Sequence, residues 1–135
     1  MSRKDILEKL KQHGVMPTAQ RIEVAAVLLS RPQHLSADQI IDKLKSRRSR
    51  VSKATVYNTL KLFSEQGIVK ELSVDSSRKF YDSTTHSHHH FYHVDSGELS
   101  DIPGSQISIS GVPPLPNGTE QESVEVLIRV RSKSK

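Results

Sequence analysis

Apolar residues recur at helical spacing through the first half of the chain and alternate with polar ones through parts of the second. Ile6, Leu7 and Leu10 sit among charges over residues 3–13, and Gly14 stops the run, which predicts a first helix. Pro17 and Thr18 open a second. Thr18 is its N-cap, Ile22, Ala25, Ala26, Leu28 and Leu29 form its buried stripe, and Arg31-Pro32 ends it. Ser36 caps a third helix with Ile40, Ile41 and Leu44 facing inward, and His34 falls in the loop before it. The basic run Lys45-Ser-Arg47-Arg48-Ser-Arg50 then reads as a loop or fraying end. Ser52 caps a fourth helix that runs to about Gln66 and ends at Gly67. Its apolar positions are Val56, Leu60 and Phe63, leaving Ala54, Thr55, Tyr57, Asn58 and Lys61 for another surface. Residues 68–74 and 78–82, around Asp75-Ser-Ser, carry a β-hairpin signal. Short helices followed by such a hairpin describe a winged helix-turn-helix.

The second half is sparser. Residues 88–94 and 98–102 read as strands around Asp95-Ser-Gly97. The stretch 103–118 holds four Pro and three Gly and is expected to be irregular, with at most one helical turn. Val124, Val126, Ile128 and Val130 alternate with polar residues, so 124–131 reads as a half-buried strand, and residues 132–135 as a fraying tail. The fold class is α+β, with a winged-helix domain over 1–82 and a small, mostly β domain over 83–135.

Charge divides the chain in the same place. Residues 1–82 carry 16 Lys/Arg against 9 Asp/Glu, net +7, while residues 83–135 carry 4 against 6, net −2. Such asymmetry points to a polyanion-binding front half and a different task behind it. A 135-residue chain divided this way has thin cores, and the small rear half is expected to need a partner chain. The sequence has no Cys, which excludes disulfides and thiolate metal sites. Neither a membrane-length apolar run nor a signal-peptide pattern is present, so a cytoplasmic protein is expected.

Two constellations carry chemistry. A helix that reads DNA needs small or polar residues in its exposed first turns, and Ser52-Lys-Ala-Thr-Val-Tyr-Asn58 meets that need. Lys53 can contact phosphate, Ala54 and Thr55 thymine methyls, Tyr57 a methyl or the backbone, and Asn58 an adenine edge; Arg21 and the 47–50 run add phosphate contacts. The second constellation is histidine: five of the seven histidines, His86, His88, His89, His90 and His93, fall within eight residues. Alternate strand residues share a face, so His88 and His90 can chelate one ion while His89 faces away. Asp82, six residues before His88, together with Asp101 and His34, is a candidate to complete a site for Mn²⁺, Fe²⁺ or Zn²⁺. Ligands drawn from both halves make occupancy a control on the angle between them.

Met16-Pro-Thr-Ala-Gln-Arg21, His34-Leu-Ser-Ala37, Ser52 through Leu60, Gly67-Ile-Val69 and the Asp82…His88-His-His90 spacing together resemble the ferric uptake regulator (Fur) superfamily over residues 10–101. The resemblance implies a homodimeric repressor or activator that binds a double-stranded DNA operator through its winged helix and dimerises through an α/β domain. By position, its regulatory metal ligands are His34, Asp82, His88, His90 and Asp101, the two aspartates resembling the peroxide-sensing branch. The family's Cys-x-x-Cys is replaced by His93 and Ser96, so no cysteine zinc site is expected. The absent dimerisation-domain helix and the His88-His89-His90 run resemble the iron response regulator (Irr) subfamily, which implies haem at those three histidines. The function expected is regulation of iron and haem homeostasis. Alternatives are a peroxide-sensing metalloregulator and, from another class, a metallo-hydrolase, which lacks a His-Glu-x-x-His pattern here.

Overall fold

Four hydroxyl side chains start four helices: Thr18, Ser36 and Ser52, as their sequence positions suggest, and Ser2, which the apolar pattern did not single out. In this computed structural model, residues 1–75, 77–85 and 88–133 are described. Expectations for Ser76, His86 and the tail residues Ser134 and Lys135 lie outside them. Helix α1 spans Arg3–Gln12, α2 Ala19–Leu28, α3 Ala37–Ser46 and α4 Lys53–Glu65. Ser2, Thr18, Ser36 and Ser52 accept hydrogen bonds from the backbone N–H of Asp5, Arg21, Gln39 and Thr55 at 3.1–3.3 Å. Asp5 and Gln39 return the bond to the cap residue, closing two capping boxes. Each cap contributes about 1 kcal/mol of helix stability. Helix α4 stops at Gly67, whose φ of 75° suits a residue without Cβ.

The chain divides into two compact units, Met1–Thr85 and His86–Lys135. In the first, α1–α4 pack a single hydrophobic cluster in which Leu10, Leu28, Ile40, Leu60 and Phe63 are fully buried. A three-stranded antiparallel sheet flanks it: β1 (His34–Ser36), β2 (Lys70–Asp75) and β3 (Arg78–Asp82), in the order β1-β3-β2. The β2–β3 hairpin is the expected wing, and Asp75 turns it by accepting from the Ser77 N–H at 2.9 Å. His34 is not in a loop, as its sequence context suggested. It opens β1, a strand three residues long that pairs with β3. Reciprocal bonds lengthen that pairing: Gln33 N–H donates to Ser83 Oγ and Ser83 N–H to the Gln33 carbonyl, both at 3.0 Å. With neighbours on both edges, β3 is central, and Phe80, Tyr81 and Asp82 are buried in succession.

The second unit is a sheet of order β5-β4-β6, built from β4 (His89–His93), β5 (Glu98–Ile102) and β6 (Leu127–Val130). β4 and β5 form an antiparallel hairpin, whereas β6 runs parallel to β4. The Pro- and Gly-rich connection holds one short 3₁₀ turn, Gly104–Gln106. β6 is shorter than the alternation over 124–131 suggested, and Ile128 remains 39% exposed. The core of this unit is thin: among its described residues, Tyr92, Leu99, Ile102 and the polar His90 are the buried ones.

Asp95, just past β4, accepts a hydrogen bond from the Ser132 backbone N–H at 2.7 Å, and that bond holds its carboxyl below the ordinary value of 3.8. A carboxyl lowered in the folded chain adds stability above its unfolded pKa and loses it as pH falls through the lowered folded value. The Ser132 amide resonance is therefore expected to hold its position as pH falls through 3.8 and to move only in more acid solution. A midpoint at or above the ordinary value contradicts the bond.

Candidate functional site

The register of the β4–β5 hairpin places His90 directly opposite Asp101. His88 lies two residues before His90, so the two rings reach the same face of the sheet. Their centroids are 4.3 Å apart with planes inclined at 52°. One carboxylate oxygen, Asp101 Oδ1, lies 3.0 Å from His88 Nε2 and 3.4 Å from His90 Nε2. One potential ligand atom from each of His88, His90 and Asp101 therefore falls within 4.8 Å of the others. The two imidazole side chains are 13% and 4% exposed and the carboxylate 63%, so the cluster is closed on its protein side and open towards Asp101.

This donor set fits a borderline divalent cation. Neutral imidazole nitrogens with a carboxylate oxygen suit Mn²⁺, Fe²⁺ and Zn²⁺, and no thiolate is available to favour a softer metal. His89 faces the opposite side of β4, and its Nδ1 accepts from the Val126 N–H at 2.9 Å. His93 shares a 3.0 Å hydrogen bond with Ser100 Oγ, and its ring belongs to the sheet surface of the second unit.

Two further candidate ligands belong to the first unit. His34 and Asp82 are partners across β1 and β3, so an imidazole and a carboxylate stand side by side at one end of that sheet. Asp82 is 3% exposed, and its Oδ1 accepts from the Thr84 N–H at 2.9 Å. That bond also shapes the backbone leaving β3.

The other constellation sits on α4. Lys53, Ala54, Tyr57 and Asn58 are exposed and Thr55 is half-buried, while Val56, Thr59 and Leu60 turn inward. The helix thus presents the polar face anticipated for DNA contact and buries the opposite one. Ser52 Oγ caps α4 and also donates to Thr55 Oγ1 at 2.9 Å. The Tyr57 hydroxyl lies 3.5 Å from Asp38 Oδ1, at the long limit of a hydrogen bond. Arg21, on α2, donates to the Met16 carbonyl at 3.0 Å. Arg21, Thr18 and Gln20 face Thr55 and Asn58 across an open cleft of about 390 Å³. Arg21 and the five residues expected on α4 therefore lie on two neighbouring helices, with Arg21, Thr55 and Asn58 lining this cleft, while the 47–50 run, also expected to contact phosphate, lies between α3 and α4. No sequence signal marked the Asp38–Tyr57 approach, because it joins two helices through one contact.

Comparison with known proteins places these features. The Ferric uptake regulator family model matches residues 3–111. The Peroxide-responsive repressor PerR of Staphylococcus aureus is 35% identical over 102 residues, covering 76% of this chain and 69% of that protein. The structure of the ferric uptake regulator from Pseudomonas aeruginosa with manganese superposes with a TM-score of 0.73 at 23% identity, covering 96% of this chain and 98% of that one. The ferric uptake regulator from Francisella tularensis with iron gives a TM-score of 0.70 at 25% identity, covering 89% and 93%. These relatives are regulators, which sets the hydrolase alternative aside. Among the described residues no helix is long and apolar enough to cross a membrane. The chain belongs to the ferric uptake regulator family of DNA-binding transcriptional regulators.

Proposed function

We propose that this protein is a homodimeric, sequence-specific regulator of iron and haem homeostasis that works in the cytoplasm and senses a divalent metal through its His/Asp cluster. The observation that carries the reading is the convergence of His88, His90 and Asp101 within 4.8 Å in a member of a DNA-binding family. Manganese and iron in the solved relatives are consistent with the donor set here. In this reading Asp82 and His34 complete the ligand set from the winged-helix unit, so residues 1–82 read DNA while 83–135 dimerise and sense. A bound divalent ion supplies positive charge and directional bonds that hold its ligands together. His88, His90 and Asp101 anchor one end of that constraint at the β4–β5 hairpin. Asp82 and His34, at the end of β1 and β3, transmit it to the unit that carries α4. The population of competent spacings between two recognition helices then depends on occupancy.

On the DNA side, Asn58 reads an adenine edge, Ala54 and Thr55 meet thymine methyls, Tyr57 adds a ring contact, and Lys53 and Arg21 hold phosphates. Arg48 extends the phosphate contacts and leaves a physical trace. It follows α3 with a φ of 57°, a left-handed conformation that costs a residue with Cβ about 1 kcal/mol. Arg48→Gly is therefore expected to raise thermal stability by about 0.5–1 kcal/mol. The same change should weaken operator binding and reduce the slope of log K against log salt by about one unit. Melting curves and binding at several salt concentrations check both halves.

Metal-free protein is expected to bind operator DNA weakly, and addition of Mn²⁺, Fe²⁺ or Zn²⁺ to strengthen binding. Equal operator affinity with and without every metal would overturn the metal-sensing reading. Haem at His88, His89 and His90 is the other effector within the same function. It should give a Soret band that a His88/His90 double substitution removes, together with a change in operator affinity. Peroxide sensing is the second reading, favoured by the identity with the peroxide-responsive repressor. It predicts that the iron-loaded protein, exposed to hydrogen peroxide, gains one oxygen on a peptide containing a ligand histidine, His34, His88 or His90, as read by mass spectrometry.

A further inference from the structure

Strand β6 is four residues long, lies at the edge of its sheet and pairs in parallel, which is slightly weaker per residue than antiparallel pairing. It also follows an exposed, irregular connection. Backbone bonds hold it at each end: His90 N–H donates to the Val126 carbonyl at 3.1 Å, and Val94 N–H to the Val130 carbonyl at 3.0 Å. At each end a side chain from the β4 segment takes a further N–H. His89 Nδ1 accepts from Val126 at 2.9 Å, and the Asp95 carboxylate accepts from Ser132 at 2.7 Å. Both pairs are 37 residues apart. His90 with Leu127 and His93 with Val130 keep that same offset in the ladder. The two side chains therefore continue the strand register past both of its ends.

We propose that His89 is a positioning residue for the metal cluster and not a ligand of it. Its acceptor nitrogen holds β6 against β4, so Nδ1 is engaged while β6 is docked. His89 also stands between His88 and His90 in the chain, with its ring on the opposite face of the sheet. Fixing the backbone at this residue fixes the origin of both imidazoles that converge on Asp101. The same clamp ties the C-terminal strand to the sensing hairpin. This role rests on the metal-sensing reading above.

The test uses the full chain, with Mn²⁺ as the probe and two variants. His89→Ala removes the acceptor, whereas His89→Asn keeps an acceptor oxygen near the same place. In metal-free protein, His89→Ala should speed hydrogen exchange at the Val126 amide while Ser132, held by Asp95, keeps its protection. His89→Ala should also weaken Mn²⁺ binding about tenfold without changing stoichiometry, as loss of a supporting partner does. His89→Asn should move both readouts back towards the unaltered protein. Unchanged Val126 exchange in His89→Ala, with Mn²⁺ binding intact, would overturn the positioning role alone. Loss of Mn²⁺ stoichiometry in both variants would overturn it by making His89 a ligand. Absence of Mn²⁺ binding by the unaltered protein would overturn the metal reading and this role with it.

Discussion

Replacing His88 and His90 together by alanine is expected to weaken divalent-metal binding by about 100-fold or more, since loss of supporting partners alone typically weakens metal sites 10–100-fold. The pair supplies both imidazoles of the cluster, and Asp101 by itself leaves one largely exposed carboxylate. The double variant should keep the helical signal and melting of the first unit, because that unit's hydrophobic cluster runs from Ile6 to Tyr81. Isothermal titration with Mn²⁺, beside a far-ultraviolet circular dichroism melt, separates lost ligands from lost fold. Retained metal affinity in a folded double variant contradicts the assignment. Asp82→Ala gives a finer reading. If the first unit contributes a ligand, this variant loses metal affinity as well, and it loses the response of DNA binding to metal even at saturating concentrations.

The second large effect concerns base reading. Asn58→Ala is expected to lose about 1–3 kcal/mol of discrimination at one operator position, the usual worth of a bidentate side-chain–base pair. Asn58 is exposed on the polar face of α4 and borders the cleft shared with Arg21. Lys53→Ala should behave differently. It should weaken binding to all sequences by a similar factor and reduce the salt slope by about one unit. Competition among operators with single base changes distinguishes the two. Asn58→Ala that weakens every sequence equally would place Asn58 on the phosphates and remove it from base reading.

Much of the first unit was legible because its signals are local. A hydroxyl three residues ahead of a backbone N–H, a stripe of apolar residues and a closing glycine lie within one helix, and the caps expected at Thr18, Ser36 and Ser52 appear where that logic puts them, with Ser2 capping α1 by the same chemistry. The wing was legible for the same reason, as Asp75 and Ser77 make the turn between adjacent strands. Strand β1 was not. Three residues are too few for an alternating pattern, and its partner lies some 44 to 48 residues away, as in His34 with Asp82 and Ser36 with Phe80.

The cluster divides in a similar way. His88 and His90 share a face by strand periodicity alone, whereas Asp101 meets them because the turn between β4 and β5 sets a register that pairs it with His90. Asp101 was a candidate by its place at the end of the next strand, whereas His34 gained weight only through the family resemblance. The clamps at His89 and Asp95 left no trace in local pattern. Each depends on a parallel strand returning after an irregular connection, and non-local pairing of that kind has no periodic signature. The alternation over residues 124–131 marked that a strand existed but not its partner, its direction or its shorter length.

The coupling at the centre of this account is thermodynamic and therefore reciprocal. If metal strengthens operator binding by a given factor, operator DNA must strengthen metal binding by that same factor. The direct measurement is Mn²⁺ affinity of the homodimer with and without saturating operator, beside operator affinity with and without Mn²⁺. The account predicts equal factors, on the order of 5- to 150-fold as is usual for coupled sites, both abolished in the His88/His90 double variant. Mn²⁺ affinity that does not change when operator is bound would contradict it.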